Sequence, residues 1–429
     1  MIDIELFRTN LEKVLDSEKK RFKDPSIAEK VLEYDMKWRS ILQELQDLRE
    51  KRNKISIKIG EFKKSNENKK AEEVIKKSRK IKEKIDELEK IREDYLEQRE
   101  KYRYMVGNIL HDSVPIGETE EENEIVRIIG NIPKFDFKPL SHFDLIEKID
   151  GVDTKKASEV VGSRFFYLKG DLVLLNLALL KYALDKLLSK NYIPMWTPFF
   201  TKYEVMKAAA ELADFEDQLY KIQDEDLYMI ATSEQSLAAY HYDEIIEPER
   251  LPIKYAGISS CFRREAGSHG KDTLGIFRVH RFEKVEQFIF CKPEDSWMHH
   301  EELIKNAEEI YKELKLPYRI VNIASGALND NAAKKYDLEV WFPASETYRE
   351  LVSCSNCLDY QARKLKIRMG KVGSQEAKET LHTLNSTAIA TERTICCIIE
   401  NYQNKDHSIT IPEVLRKYMN GRKIIKAIK

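Results

Sequence analysis

The sequence predicts an α+β protein: a mainly antiparallel β-sheet with flanking helices, preceded by an N-terminal antiparallel coiled-coil arm. Three observations predict it. Apolar residues recur at heptad spacing in two N-terminal stretches on either side of a polar break. The rest of the chain carries short strand-like runs joined by irregular loops. These runs do not alternate regularly with helical stretches, which argues against a doubly wound parallel sheet.

The first helix of the arm is read from Val31, Tyr34, Trp38, Ile41, Leu45, Leu48, Ile55, Ile59 and Phe62, with Arg52 interrupting the seam. Ser65-Asn66-Glu67-Asn68 breaks the pattern, and Val74, Ile81, Ile85, Leu88, Tyr95 and Tyr102 resume it. Two heptad helices around a short polar turn make a hairpin over about residues 31–105. Roughly 34 residues at about 1.5 Å each give an arm about 50 Å long, a reach that only a large partner needs. Residues 49–82 hold fourteen Lys or Arg against five Asp or Glu, whereas residues 83–100 carry more acid than base. Positive charge gathered toward the tip suits phosphate contact. A solvated coiled coil used for dimerisation is the other reading, and periodicity alone leaves both open.

Past Val106 the periodicity fades, and Val114-Pro115-Ile116-Gly117 with the acid-rich residues 118–122 reads as a linker. The expected domains are therefore residues 1–112, containing the arm, and residues 113–429. The second domain is expected to hold an amphipathic helix over residues 172–188. Its strands are expected over residues 255–262, 276–282, 285–290 and 318–323.

A length of 429 residues suits two structural units. Charged residues at 34% beside 42% hydrophobic fit a globular protein with a long solvated helical element, and the net charge of −1 hides the basic tip. The first residues lack a basic region followed by an apolar run, and no stretch of about 18 uncharged apolar residues occurs. A soluble cytoplasmic protein without a membrane partner is expected. Six cysteines, two adjacent at Cys396-Cys397, do not form a disulfide framework. Cys354-Ser355-Asn356-Cys357 lacks the second Cys/His pair that a structural zinc needs, so no zinc is expected.

There is no G-x-x-x-x-G-K-[ST] and no strand-linked G-x-G-x-x-G, so any bound nucleotide must be held another way. The most informative segment is Cys261-Phe262-Arg263-Arg264-Glu265-Ala266-Gly267-Ser268-His269-Gly270 with the strand-like run that follows it. Two strands joined by a Gly-containing loop can set an arginine on a phosphate and a glutamate on a base amine.

Phe262-Arg263-x-Glu265, a Gly-bearing loop and Arg278-x-His280-x-Phe282 resemble motif 2 of class II aminoacyl-tRNA synthetases. The wider match is to the seryl-tRNA synthetase family, in its common form and its archaeal and eukaryotic branch. It rests on Thr232-Ser233-Glu234, the run at 277–286, the run at 349–357, and His382-Thr383-Leu384-Asn385. Asn191-Tyr192-Ile193-Pro194-Met195-Trp196-Thr197-Pro198 resembles motif 1, with Asn191 where the family often has glycine. Ser386-Thr387-Ala388-Ile389-Ala390-Thr391-Glu392-Arg393 resembles motif 3, with Ser386, Ala388 and Ala390 in places often held by glycine.

The resemblance implies a class II antiparallel core and a two-step reaction. Serine is activated with ATP to seryl-adenylate, then transferred to the terminal adenosine of serine tRNA, and of selenocysteine tRNA where present. Arg263 and Arg393 are the implied catalytic residues. ATP is implied to meet Arg263, Glu265, Val279, Phe282, Glu350, Leu351, Val352, Ser353 and Arg393. Serine is implied to meet Thr232, Glu234, Glu286, Asn385 and Thr387, although Thr232-Ser233-Glu234 also reads as a helix cap. Glu350 and Ser353 are the implied magnesium side, a pair of hard oxygens that suits this ion. The arm is implied to grip serine tRNA, and motif 1, around Pro198, to form a homodimer. No enzyme nucleophile is needed, which agrees with the lack of a Ser-His-Asp or Cys-His constellation.

Two rivals remain at this point. A paralogue that loads a small amino acid on a carrier protein would normally lack the basic arm. A catalytically dead RNA-binding protein would be expected to lose Arg263, Glu265 or Arg393, and all three are present.

Overall fold

The computed structural model describes residues 1–209, 216–266, 274–371, 373 and 378–428. The loop residues Gly267-Ser268-His269-Gly270 and 271–273 lie outside the described residues. The chain divides into two compact units, residues 2–107 and residues 108–429 with Met1.

In the first unit two long helices, α1 (Ser26–Lys64) and α2 (Asn68–Met105), run back on each other around a turn at Ser65–Glu67. Asn66 takes the left-handed conformation there, φ 57°, which asparagine tolerates better than most residues. The predicted seam is the buried one. Leu45, Ile85 and Leu88 are buried, with Ile41, Leu48, Ile81 and Ile91 packed beside them. At 39 residues α1 is about 58 Å long, somewhat more than the heptads alone imply.

Asp35 lies fully buried on α1. Arg8, from the preceding short helix Ile4–Thr9, donates to it through Nε at 2.7 Å, and Arg99 on α2 through an Nη at 2.9 Å. Burial would raise this carboxyl, but the two guanidinium groups hold it below the ordinary carboxylate range.

The second unit is built on an eight-stranded sheet. Its strands are β1 (Glu124–Ile129), β2 (Ile193–Trp196), β3 (Ile253–Phe262), β4 (Arg281–Cys291), β5 (Tyr318–Asn322), β6 (Lys334–Phe342), β7 (Thr347–Asn356) and β8 (His382–Ala390), ordered β1-β5-β6-β7-β8-β4-β3-β2. Every neighbouring pair is antiparallel except β2 with β3. The helices α3 (Asp171–Leu188), α4 (Ser233–Ala239), α5 (Ser296–Glu313) and α6 (Thr391–Asn401) complete it. Leu172, Leu175, Leu179, Ile304, Ile310, Ile395 and Ile398 from α3, α5 and α6 join Val285, Ile289, Leu338 and Leu384 of the sheet in one apolar core.

One predicted boundary fails. Residues 276–282 and 285–290 were expected as separate strands, yet β4 runs unbroken from Arg281 to Cys291, and most of the first run precedes it as irregular chain. Ile276, Phe277 and Val279 are buried in the apolar core without pairing to a strand, so their hydrophobicity reports burial and not sheet. The remaining expected strands are found as β3 and β5, and the helix over 172–188 as α3.

After α3 the chain turns at Asn191, φ 64°, where glycine would be the easier residue and asparagine serves. Beyond that turn Ile193 and Trp196 on β2 are 52% and 77% exposed. Among the described residues, no helix is long and apolar enough to cross a membrane.

Candidate functional site

Strands β3, β4, β7 and β8 and the starts of α4 and α6 converge on a cavity of about 260 Å³. All of the site residues expected from the sequence line it except Val352. Val352 is fully buried in the apolar core, because a bulge opposite Leu338 and Glu339 shifts the alternation of β7. The same bulge turns both Glu350 and Leu351 toward the cavity, with Ser353 following on that face. Val352 does not line the cavity.

One end of the cavity is cationic. Arg263 leaves β3 with its guanidinium 5.1 Å from the Phe282 ring centre, and its Nε donates to the Ala231 carbonyl at 3.3 Å. Its backbone N–H donates to His280 O at 3.0 Å, which ties the two sides of the motif 2 hairpin together. Burial, then the neighbouring Arg393, lowers the Arg263 pKa from its ordinary value. Arg393, on the first turn of α6, donates to the Glu350 carbonyl at 3.1 Å and lies 3.5 Å from its carboxylate. Glu265 pairs with Arg278 at 3.6 Å.

Although its side chain is 45% exposed, Glu350 is held below the usual carboxylate range by Arg393, Lys335 and Arg263. Glu350 is thus an anion, and it and Ser353 both line the cavity and carry the hard oxygens that magnesium takes. Asp337, paired across from Ser353, is buried with Oδ1 unpartnered. Burial pushes its pKa up to about 7, with Glu350 and Glu339 adding to the rise against Lys335.

The other end is anionic and hydroxyl-lined. Thr232 caps α4, its Oγ1 accepting the Glu234 N–H at 3.1 Å, so the helix-cap reading holds while the side chain still faces the cavity. Glu234 Oε1 accepts from Asn385 Nδ2 at 3.0 Å and Gln361 Nε2 at 3.1 Å. Thr387, paired across strands with Glu286, donates to Glu286 Oε2 at 3.5 Å. Burial raises the Glu286 carboxyl, and burial together with Glu286 pushes Glu234 up to about 7.

Sequence reasoning missed Lys284. Its Nζ donates to Thr232 Oγ1 at 2.7 Å and pairs with the Glu286 carboxylate. The signal was strand alternation: Phe282, Lys284 and Glu286 share one face of β4, which the expected break after Phe282 concealed. Gln361 and Lys335 were missed as well, and nothing local in the sequence marks them.

Residues 1–110 match the family described as Seryl-tRNA synthetase N-terminal domain, and residues 218–402 match tRNA synthetase class II core domain (G, H, P, S and T). A serine–tRNA ligase of Methanosphaera stadtmanae is 58% identical over 427 residues, covering 100% of both chains. The seryl-tRNA synthetase of Pyrococcus horikoshii, solved as a complex with ATP, superposes with a TM-score of 0.95 at 43% identity over 100% of both chains. The cytoplasmic serine–tRNA ligase of Naegleria fowleri, in complex with AMP, gives 0.90 at 42% identity, covering 100% of this chain and 99% of that one. The chain belongs to the seryl-tRNA synthetase family of class II aminoacyl-tRNA synthetases.

Proposed function

We propose that this chain is a serine–tRNA ligase that activates serine with ATP and transfers it to serine tRNA. The observation that carries the reading is the polarity of one cavity, with Arg263 and Arg393 at one end and Glu234, Glu286, Thr232 and Thr387 at the other. A molecule with an anionic carboxylate and phosphates on one side and an ammonium and hydroxyl on the other is complementary to it.

In the first step a serine carboxylate oxygen attacks the α-phosphorus, a P–O bond forms, and pyrophosphate leaves with the electrons of the broken α–β bridge. Arg263 meets the α-phosphate and Arg393 the far end of the triphosphate, while Glu265 receives the adenine amine and Phe282 covers the ring. These groups stabilise charge and position the reactants, and none exchanges a covalent bond. Glu350 and Ser353 would hold a magnesium ion, which supplies charge neutralisation at the phosphates. In the second step a hydroxyl of the terminal ribose attacks the seryl carbonyl, loses its proton and releases AMP.

The two compact units, residues 2–107 and residues 108–429 with Met1, act as the tRNA-binding and catalytic domains. The basic arm meets the tRNA, and the exposed apolar surface around Ile193 and Trp196, next to Pro198, pairs two copies.

The test is ATP–pyrophosphate exchange with a panel of amino acids. Serine should support it, and alanine should be rejected by about 10⁴-fold in kcat/KM, because a site that hydrogen-bonds a hydroxyl leaves buried polar groups unpaired around an analogue without one. Comparable exchange with alanine or with a bulkier amino acid would overturn the assignment.

The same assay carries a pH prediction. Glu234 faces Glu286, Lys284 and Arg263, and burial together with Glu286 pushes its pKa up to about 7, so that it is protonated in acid. An incoming ammonium needs it ionised, so binding must release that proton. Below pH 7 the kcat/KM for serine should fall by up to about tenfold per pH unit, and above it should level off. A flat profile between pH 5.5 and 8 would show that Glu234 does not meet the ammonium.

A further inference from the structure

Lys284 sits on β4, between β8 and β3, and its side chain is 8% exposed. Burying an ammonium costs several kcal/mol unless its partners repay it, so its partners are informative. They are Thr232 Oγ1 and the Glu286 carboxylate, two of the groups assigned above to the amino acid.

The hydrogen-bond inventory is then nearly closed. Thr232 Oγ1 accepts from Lys284 Nζ and from the Glu234 N–H. A hydroxyl has two acceptor positions, so Thr232 can offer a ligand only its proton. Glu234 Oε1 is taken by Asn385 and Gln361. Glu286 Oε2 is taken by Lys284 and Thr387. Among the described residues, this leaves Glu234 Oε2, Glu286 Oε1 and the Thr387 hydroxyl, whose proton goes to Glu286, as open acceptors.

We propose that Lys284 is a positioning residue that sets the polarity of the amino-acid subsite. By filling the acceptor positions of Thr232 and one oxygen of Glu286, it leaves carboxylate oxygens that only accept and a hydroxyl that only donates. That pattern selects a primary ammonium next to an acceptor oxygen of the same small molecule. Lys284 acts through its bonds to Thr232 and Glu286. The proposal rests on the reading of the chain as a serine-activating enzyme.

Lys284→Met removes the charge and both hydrogen bonds, and Lys284→Gln keeps a donor without the charge. Each is assayed by pyrophosphate exchange beside the wild type, with melting temperature as the check on folding. The serine KM should rise about 10- to 100-fold, the range for losing hydrogen bonds to a charged group, while the ATP KM stays within about threefold. The pH range over which serine KM changes should also move upward in both variants, because two buried carboxylates have lost their cation. A structural lysine would move neither the KM ratio nor the pH range. Equal changes in both KM values, an unchanged serine KM, or failure of both variants to fold would each overturn the proposal. A wild-type enzyme without serine-dependent exchange would instead remove the functional reading itself, so the two failures are distinguishable.

Discussion

Arg263→Ala should lower serine-dependent pyrophosphate exchange by about 10³-fold or more, the scale set by removing a guanidinium from a phosphoryl transfer site. The loss should fall on kcat/KM for ATP and serine alike, since the group stabilises charge that both reactants develop together. The fold should survive. The hairpin is held by backbone pairing from Phe262 to Ile253 against Arg281 to Phe290, which the substitution leaves in place. Arg263→Lys should recover little, because an ammonium cannot offer the planar fork. Arg393→Ala should have a comparable effect and should also let Glu350 rise toward the ordinary carboxylate range, because Arg393 is the strongest of the charges that lower it. Near-normal exchange in either variant would remove that arginine from the ATP site.

Both arginines were legible because each sits in a short run whose order is diagnostic. The same holds for Glu265, Phe282, Glu286 and Thr387, all of which line one cavity. The failures share a cause, which is that burial and pairing are different properties. Ile276, Phe277 and Val279 are as apolar as a strand but are buried in the core as irregular chain, and calling them a strand displaced the boundary of β4. With that boundary wrong, Lys284 was not placed on the face of Glu286. Val352 does not line the cavity for a related reason, since a bulge in β7 changes which side chains face it and no sequence signal marks the bulge. Gln361 reaches Glu234 across 127 positions, a convergence that only the fold creates.

The arm shows the same division. Its helices and turn were legible from the seam of Leu45, Ile85 and Leu88. Asp35 was not. In the sequence it is one more charge on a solvated helix, whereas in the structure it is buried between Arg8 and Arg99. Arg8 lies 27 positions away on another helix, so periodicity within α1 could not reveal the pair.

The arm also carries the second large expected effect. Residues 58–82 hold ten Lys or Arg. Replacing them with a short linker should remove the phosphate contacts of the tip while leaving the second compact unit and its cavity unaltered. If three of the ten touch phosphates, the slope of log affinity for tRNA against log salt should shrink by about 3, close to a 60-fold difference between 50 and 200 mM salt. Serine activation should persist at the wild-type rate, because every residue assigned to it lies beyond residue 231. Aminoacylation should collapse through weaker tRNA binding. Duplex RNA is read mainly by shape and backbone, so an arm of this length should recognise an extended helical feature of the tRNA and not a base sequence. We propose that the long variable arm of serine tRNA is that feature. The decisive measurement is charging of serine tRNA with and without its variable arm, by the intact chain and by the shortened one. Each deletion alone should depress charging strongly, and the two together should add little, since both remove the same contact. Unchanged charging after either deletion would make α1 and α2 a solvated coiled coil with no part in tRNA recognition.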